Sequence, residues 1–213
     1  LSERKHAKYS PSKLPILAVC PCFEPAPVGE AAWRGTTQHK VIEDYFKGRD
    51  PHWNDLTADE RLRVRWAIRW INNNTSANRQ IEICLTAIGS DIALMERGYA
   101  DVLDVHSDHV HVVDYKSGRQ RDASHQLAAY ALMAMRRYEK AHSKVTVLYG
   151  NNFAVVPATY TAEQAAALII PVLNSVVDPN KKPNLCQYCD WCIWIGKCDA
   201  FSARIKRIFG KKD

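Results

Sequence analysis

Apolar residues along the chain follow two rhythms that change from segment to segment. From about Gly35 onward, Val41, Ile42, Tyr45 and Phe46 recur at helical spacing. Thr57-Ala58-Asp59-Glu60 has the Thr and the Glu three positions later that close a capping box. It predicts a helix running to about Asn72, with Val64, Ala67, Ile68 and Ile71 on one face. The rhythm then shortens. Segments 80–88, 92–97, 98–106 and 109–116 are short, rich in Ile, Val and Leu and interrupted by polar residues, which predicts strands. Ser107-Asp108 supplies a turn that makes the last two an antiparallel hairpin. A helix is expected from about Ser124 to Ala141, then a second hairpin, Lys144–Tyr149 and Phe153–Tyr160, joined at Gly150-Asn151. Thr161-Ala162-Glu163-Gln164 is a second capping box, opening a helix that Pro171 is expected to kink. Residues 1–30 read as loop, with five prolines around a short apolar stretch from Leu14 to Cys20. The order helix, sheet, helix, strands, helix predicts an α/β (α+β) fold in one domain spanning 1–213.

Composition narrows the class. The 213 residues are 46% hydrophobic, enough for a core that needs no cross-link to form. No apolar run approaches the ~20 residues of a bilayer span, so no membrane partner is expected. The stretch LSERKHAKYSPSK has no apolar region of the kind a secretory signal carries. Lys and Arg outnumber Asp and Glu by 29 to 23, a mildly basic balance compatible with a polyanionic partner. Seven cysteines, four of them crowded at Cys186, Cys189, Cys192 and Cys198, point to metal or cluster ligation in a reducing, cytoplasmic setting. No G-x-x-x-x-G-K-[ST] loop is present, so an ATP-driven helicase would be a separate partner.

Candidate chemistry concentrates in the run Gly98 to Gly118. Asp101 lies on one strand of the proposed hairpin and Asp114 at the end of the other. Side chains alternate along a strand, so Asp114 and Lys116 project to one side and Tyr115 to the other. Two acids and a lysine converging at a sheet edge suit a hard cation such as Mg²⁺ or Mn²⁺ acting on a phosphodiester. The bland alternative is an exposed turn with a surface ion pair worth ~0–1 kcal/mol. Glu82, on the preceding strand, reads equally as another acid near the metal or as a solvent-facing strand residue.

Six elements in order resemble the PD-(D/E)XK nuclease superfamily, in its RecB-like branch that includes the CRISPR-associated iron–sulfur exonucleases. They are Ser12 through Cys20-Pro21, Gly35-Thr36-Thr37-Gln38-His39, Gly98-x-x-Asp101, Asp114-Tyr115-Lys116-Ser117-Gly118, Gln126-Leu127-Ala128-Ala129-Tyr130, and Cys189-x-x-Cys192-x5-Cys198. The resemblance implies a restriction-endonuclease-like core, a mixed central sheet flanked by helices. It implies His39, Asp101 and Asp114 as metal ligands, with the Tyr115 carbonyl, and Asp101, Asp114 and Lys116 as the catalytic set. Gln126 and Tyr130, four apart on one helix face, contact nucleic acid or support the lysine.

The cysteines read differently by spacing and by resemblance. Spacing alone favours structural zinc held by Cys186, Cys189, Cys192 and Cys198. The resemblance implies a [4Fe–4S] cluster on Cys20, Cys189, Cys192 and Cys198, joining segments 1–30 and 183–200, with Cys22 and Cys186 as competing ligands. Cys84 reads as a buried small hydrophobe. Trp191, Trp194 and Tyr188 flank the ligands and either stack on unpaired bases or shield the cluster. Residues 201–213, a basic tail with Arg204, Lys206, Arg207, Lys211 and Lys212, read as a phosphate-contacting or solvated end. The leading expectation is a Mg²⁺- or Mn²⁺-dependent DNA exonuclease acting on single strands or ends, in recombination, repair, CRISPR adaptation or phage DNA processing. The alternatives are a non-catalytic Fe–S or zinc nucleic-acid-binding accessory protein and a zinc-knuckle interaction protein.

Overall fold

In the computed structural model of the chain, residues 7–27 and 29–209 are described. A short 3-10 turn at Pro11–Lys13 leads into α1, Leu14–Leu17, which buries Leu14 and Leu17. Helix α2 spans Glu30–Phe46, opening at Gly29 rather than near Gly35. Apolar periodicity begins later than the helix does, because its first turns face outward, with Trp33 exposed. Helix α3, Ala58–Asn74, starts on the expected capping box: Thr57 and Glu60 exchange both bonds.

Five strands follow in chain order as one sheet: β1, Gln80–Thr86; β2, Arg97–Val105; β3, His109–Lys116; β4, His142–Tyr149; β5, Ala154–Thr161. Only β3 and β4 run parallel; every other neighbouring pair is antiparallel. Their crossover is helix α4, Ser124–Tyr138, and α5, Ala162–Val177, starts on the Thr161 capping box and continues through Pro171. The expected strand at 92–97 is instead a 3-10 helix, Ser90–Met95. Ile92 and Met95 are three apart, so a three-residue turn buries both on one side, which alternation would not do. Helix α4 stops at Tyr138, short of Ala141, because Glu139 turns left-handed (φ +53°) and Lys140 N–H bonds back to Met135 C=O.

Two apolar layers sandwich the sheet. Helices α4, α5 and α1 pack on one face over Val110, Val112, Val145 and Val147. Helices α2 and α3 cover the other, over Val102, Val113, Tyr115 and Leu148. Both faces are therefore closed except where strands part, and the candidate acids lie there. The basic end forms helix α6, Asp199–Phe209; Lys211 and Lys212 lie outside the described residues. No helix among the described residues is long and apolar enough to cross a membrane.

A candidate metal centre where two strands part

Strand pairing defines the site before any side chain is considered. Between β2 and β3 it runs from Val105–Val110 to Val102–Val113 and stops, one step short of Asp101 and Asp114. Strand β3 carries on to Lys116 while paired only with β4. The freed N–H of Tyr115 needs an acceptor, because a buried unpaired amide costs about 1–3 kcal/mol. Asp101 supplies it: its Oδ2 accepts from Tyr115 N at 2.7 Å. A carboxylate thus replaces a ladder bond at the fork between the strands.

The other oxygen of Asp101 meets helix α2. His39 Nδ1 lies 3.0 Å from Asp101 Oδ1. A carboxylate only accepts, so Nδ1 carries a proton, and in the neutral ring the Nε2 lone pair stays available to a cation. Burial disfavours the imidazolium, but the charge and hydrogen bond of Asp101 outweigh it and raise the His39 pKa. Burial likewise works against the Asp101 carboxylate, yet His39, Lys116 and the Tyr115 N–H together hold its pKa below the usual range.

Asp114 and Lys116 project from the opposite side of β3, toward α4. Lys116 Nζ stands 2.9 Å from Asp114 Oδ2 and 3.3 Å from Oδ1. Gln126, buried on the first turn of α4, donates to Oδ1 at 3.1 Å. The alignment with Lys116 leaves Oδ2 buried without a hydrogen bond despite the close ammonium. Burial first, then the Asp101 charge, raises the Asp114 pKa even against Lys116. For Lys116, burial is outweighed by Asp114 and Asp101, so the ammonium is held charged.

Backing residues hold these groups in place. Tyr115 points away from Asp114 and donates to Gln38 Oε1 at 2.8 Å; Gln38 in turn donates to Glu60 Oε1 at 3.1 Å. The α3 capping box is thereby tied to the strand that carries the acids. Tyr130, buried on α4, donates to Tyr99 C=O at 2.8 Å and so supports β2 two residues from Asp101. Gly98 is obligatory there, because a Cβ would come within 2.6 Å of the Pro11 ring. Gln126 and Tyr130 are both buried, the one against Asp114 and the other against the β2 backbone.

Glu82 is where the structure is more informative than sequence. Its carboxylate, the His39 ring and Asp101 offer ligand atoms all within 4.8 Å of one another. Ile81 pairs with Val102 and Ile83 with Ala100, so Glu82 falls opposite Asp101. In sequence it was one more acid in a strand; only register shows which residue it faces. Fit to a divalent cation follows from the donor set: two carboxylates and a histidine, Glu82, Asp101 and His39, offer ligand atoms together, while Asp114, engaged by Lys116 and Gln126, does not join that group.

The chain agrees with the model of the PD-(D/E)XK nuclease superfamily over residues 10–198. The protein belongs to that superfamily. As a PD-(D/E)XK protein it is a metal-dependent nuclease by family, and its mixed five-stranded sheet flanked by helices is a restriction-endonuclease-like core. No curated protein matches it. One solved structure with which it is aligned, "Crystal structure of SSO0001", shares 12% identity at a TM-score of 0.42, over 82% of this chain and 98% of that one, too loose an overlap to bear on the site.

A second constellation lies away from the fork. Cys20, Cys22, Cys186, Cys189, Cys192 and Cys198 line one cavity of about 280 Å³. The two chain segments meet there through a Pro25–Cys192 bridge, Ala26 N–H to Trp191 C=O and Ile193 N–H to Glu24 C=O. None of the seven cysteines is in a disulfide, and Cys84, on β1, is only half-buried. Burial, then the neighbouring Cys20 thiol, pushes Cys22 up. Tyr188 is buried, whereas Trp191 and Trp194 are exposed, and the Arg121 guanidinium lies over the Tyr188 and Trp191 rings at 5.8 and 5.1 Å.

Proposed function

We propose that the protein is a Mg²⁺- or Mn²⁺-dependent deoxyribonuclease, an exonuclease acting on single strands or ends, with a [4Fe–4S] cluster in its cysteine cavity. The observation that carries the nuclease reading is the placement of two pairs, His39–Asp101 and Asp114–Lys116, where β2 and β3 part. His39, Asp101 and Asp114, with the Tyr115 carbonyl, would hold the cation. When bound, such a cation lowers the pKa of a water and offsets charge on the phosphodiester.

The chain's own groups supply the rest. Lys116 presents a fixed ammonium to a phosphate oxygen as negative charge builds there, an interaction that strengthens in the transition state. Asp114 aims that ammonium, and Gln126 aims Asp114. Asp101 is held from both sides, by His39 and by the Tyr115 N–H, so its carboxylate needs little reorganisation.

The cavity supports a cluster reading: six cysteines from two segments distant in sequence line it, more thiols than the four that one structural zinc takes. When bound, the cluster would cross-link segments 1–30 and 183–200.

The test is a cleavage assay on end-labelled single- and double-stranded DNA with Mn²⁺, Mg²⁺ or EDTA, using anaerobically purified protein beside Asp114→Ala. Metal-dependent shortening from an end, absent in the variant, is the expected result. Binding without cleavage under any metal would transfer the chain to the accessory-protein reading.

A further inference from the structure

Three features beyond the His39–Asp101–Asp114 set coincide at one point on β1. Glu82 has φ +53° in the middle of a strand, a left-handed backbone that a residue with a Cβ adopts only when its surroundings impose it. That conformation keeps the ladder intact on either side, at Ile81–Val102 and Ile83–Ala100, while the Glu82 carboxylate approaches His39 and Asp101. Beside these three groups lies a cavity of about 10 Å³, walled by Ile42, Ile71, Val113 and Tyr115. That is room for one water-sized occupant. Glu43 also lines it, but Lys47 and Arg49 hold that carboxylate at 2.9 and 2.8 Å.

We propose that Glu82 is a direct ligand of the catalytic cation, so that the ion is held by β1 and α2 as well as by the β2–β3 fork. The inference rests on the metal-dependent nuclease reading and adds a residue to it. His39, Glu82 and Asp101 form the seat of the ion on the β1 side, in the small cavity. Asp114 and Lys116 stand outside that cavity, on the other side of β3, where Lys116 faces the phosphate. An uncommon backbone conformation at a glutamate is explained by the carboxylate it delivers.

The deciding experiment needs no turnover. Metal-stripped protein is titrated with Mn²⁺ and free ion is followed by electron paramagnetic resonance, for wild type, Glu82→Gln and Asp101→Asn. Glu82→Gln is expected to weaken Mn²⁺ by at least about tenfold, since it removes a charged ligand at constant shape. Wild-type affinity in Glu82→Gln with binding lost in Asp101→Asn would overturn the proposal and leave the nuclease reading standing. No Mn²⁺ bound by wild type would overturn both. Should Glu82→Gln fold poorly, Glu82→Gly carries the test by thermal melting. Glycine accepts the positive φ, so the metal-free variant should melt about 2–4 °C higher than wild type while its Mn²⁺-induced rise shrinks. A full Mn²⁺ response in Glu82→Gly would overturn the proposal.

Discussion

The strand fork and the cysteine cavity are both built from short sequence motifs, yet they are held in opposite ways. At the fork each group has two restraints: Asp101 is fixed by His39 and the Tyr115 N–H, Asp114 by Lys116 and Gln126, and Tyr115 by Asp101 and Gln38. The surrounding strands and helices belong to the two apolar layers of the fold. Around the cysteines, 183–198 forms only brief 3-10 turns, and the few backbone bonds to 24–26 join segments distant in sequence. The first region is preorganised by the fold, so its chemistry should survive small local changes in everything except the reacting groups. The second has little packing of its own and depends on whatever its thiols bind.

That contrast can be broken at its strongest point first. Asp114→Asn keeps the shape of the fork but removes a ligand charge and the partner of Lys116. Cleavage should fall on the order of 10³-fold with DNA affinity little changed, measured by single-turnover assay and by anisotropy. A comparable loss of affinity would mean that the fork is a binding surface and not a reacting one.

The cysteine side should respond in the opposite sense. Cys192→Ser, made and purified without oxygen, should lose the visible absorbance of the cluster and become open to protease between 183 and 198. The denaturant midpoint of the sheet should hardly move, because neither apolar layer includes that segment. If the whole protein unfolds earlier, the two regions are one cooperative unit.

A third change probes the fold that holds the fork, through pH. His111 on β3 is buried beside Thr146, and burial pulls its pKa down to about 4. The native state keeps it neutral while the unfolded chain takes a proton below about 6.5. Its contribution is therefore full above pH 6.5 and is lost as pH falls toward 4, by about 3 kcal/mol across that window. Urea unfolding at pH 7 and pH 4.5 should show this slope in wild type and a flatter one in His111→Gln.

Sequence made the local pieces legible. Both capping boxes, both hairpins and the opposite orientations of Asp114 and Tyr115 follow from short-range rules, and the structure has each of them. What it hid was set by distant partners. Ile92 and Met95 look alike in a strand and in a 3-10 turn, and burial against the core decides between them. Glu139 ends α4 in a conformation usually given to glycine, so no breaker announces it. Glu82 depends on strand register, and the Gln38–Glu60 support of Tyr115 joins residues from three elements. Tyr115→Phe removes only that support; it should cost about 1 kcal/mol in urea unfolding, the smallest effect considered.

The most direct measurement is cleavage of end-labelled DNA by Lys116→Ala beside wild type, with Mn²⁺ and with EDTA and with DNA binding followed in parallel. Shortening by wild type only with metal, and binding without cleavage by Lys116→Ala, is the predicted result. Equal cleavage by the two proteins would contradict a reacting centre at the β2–β3 fork.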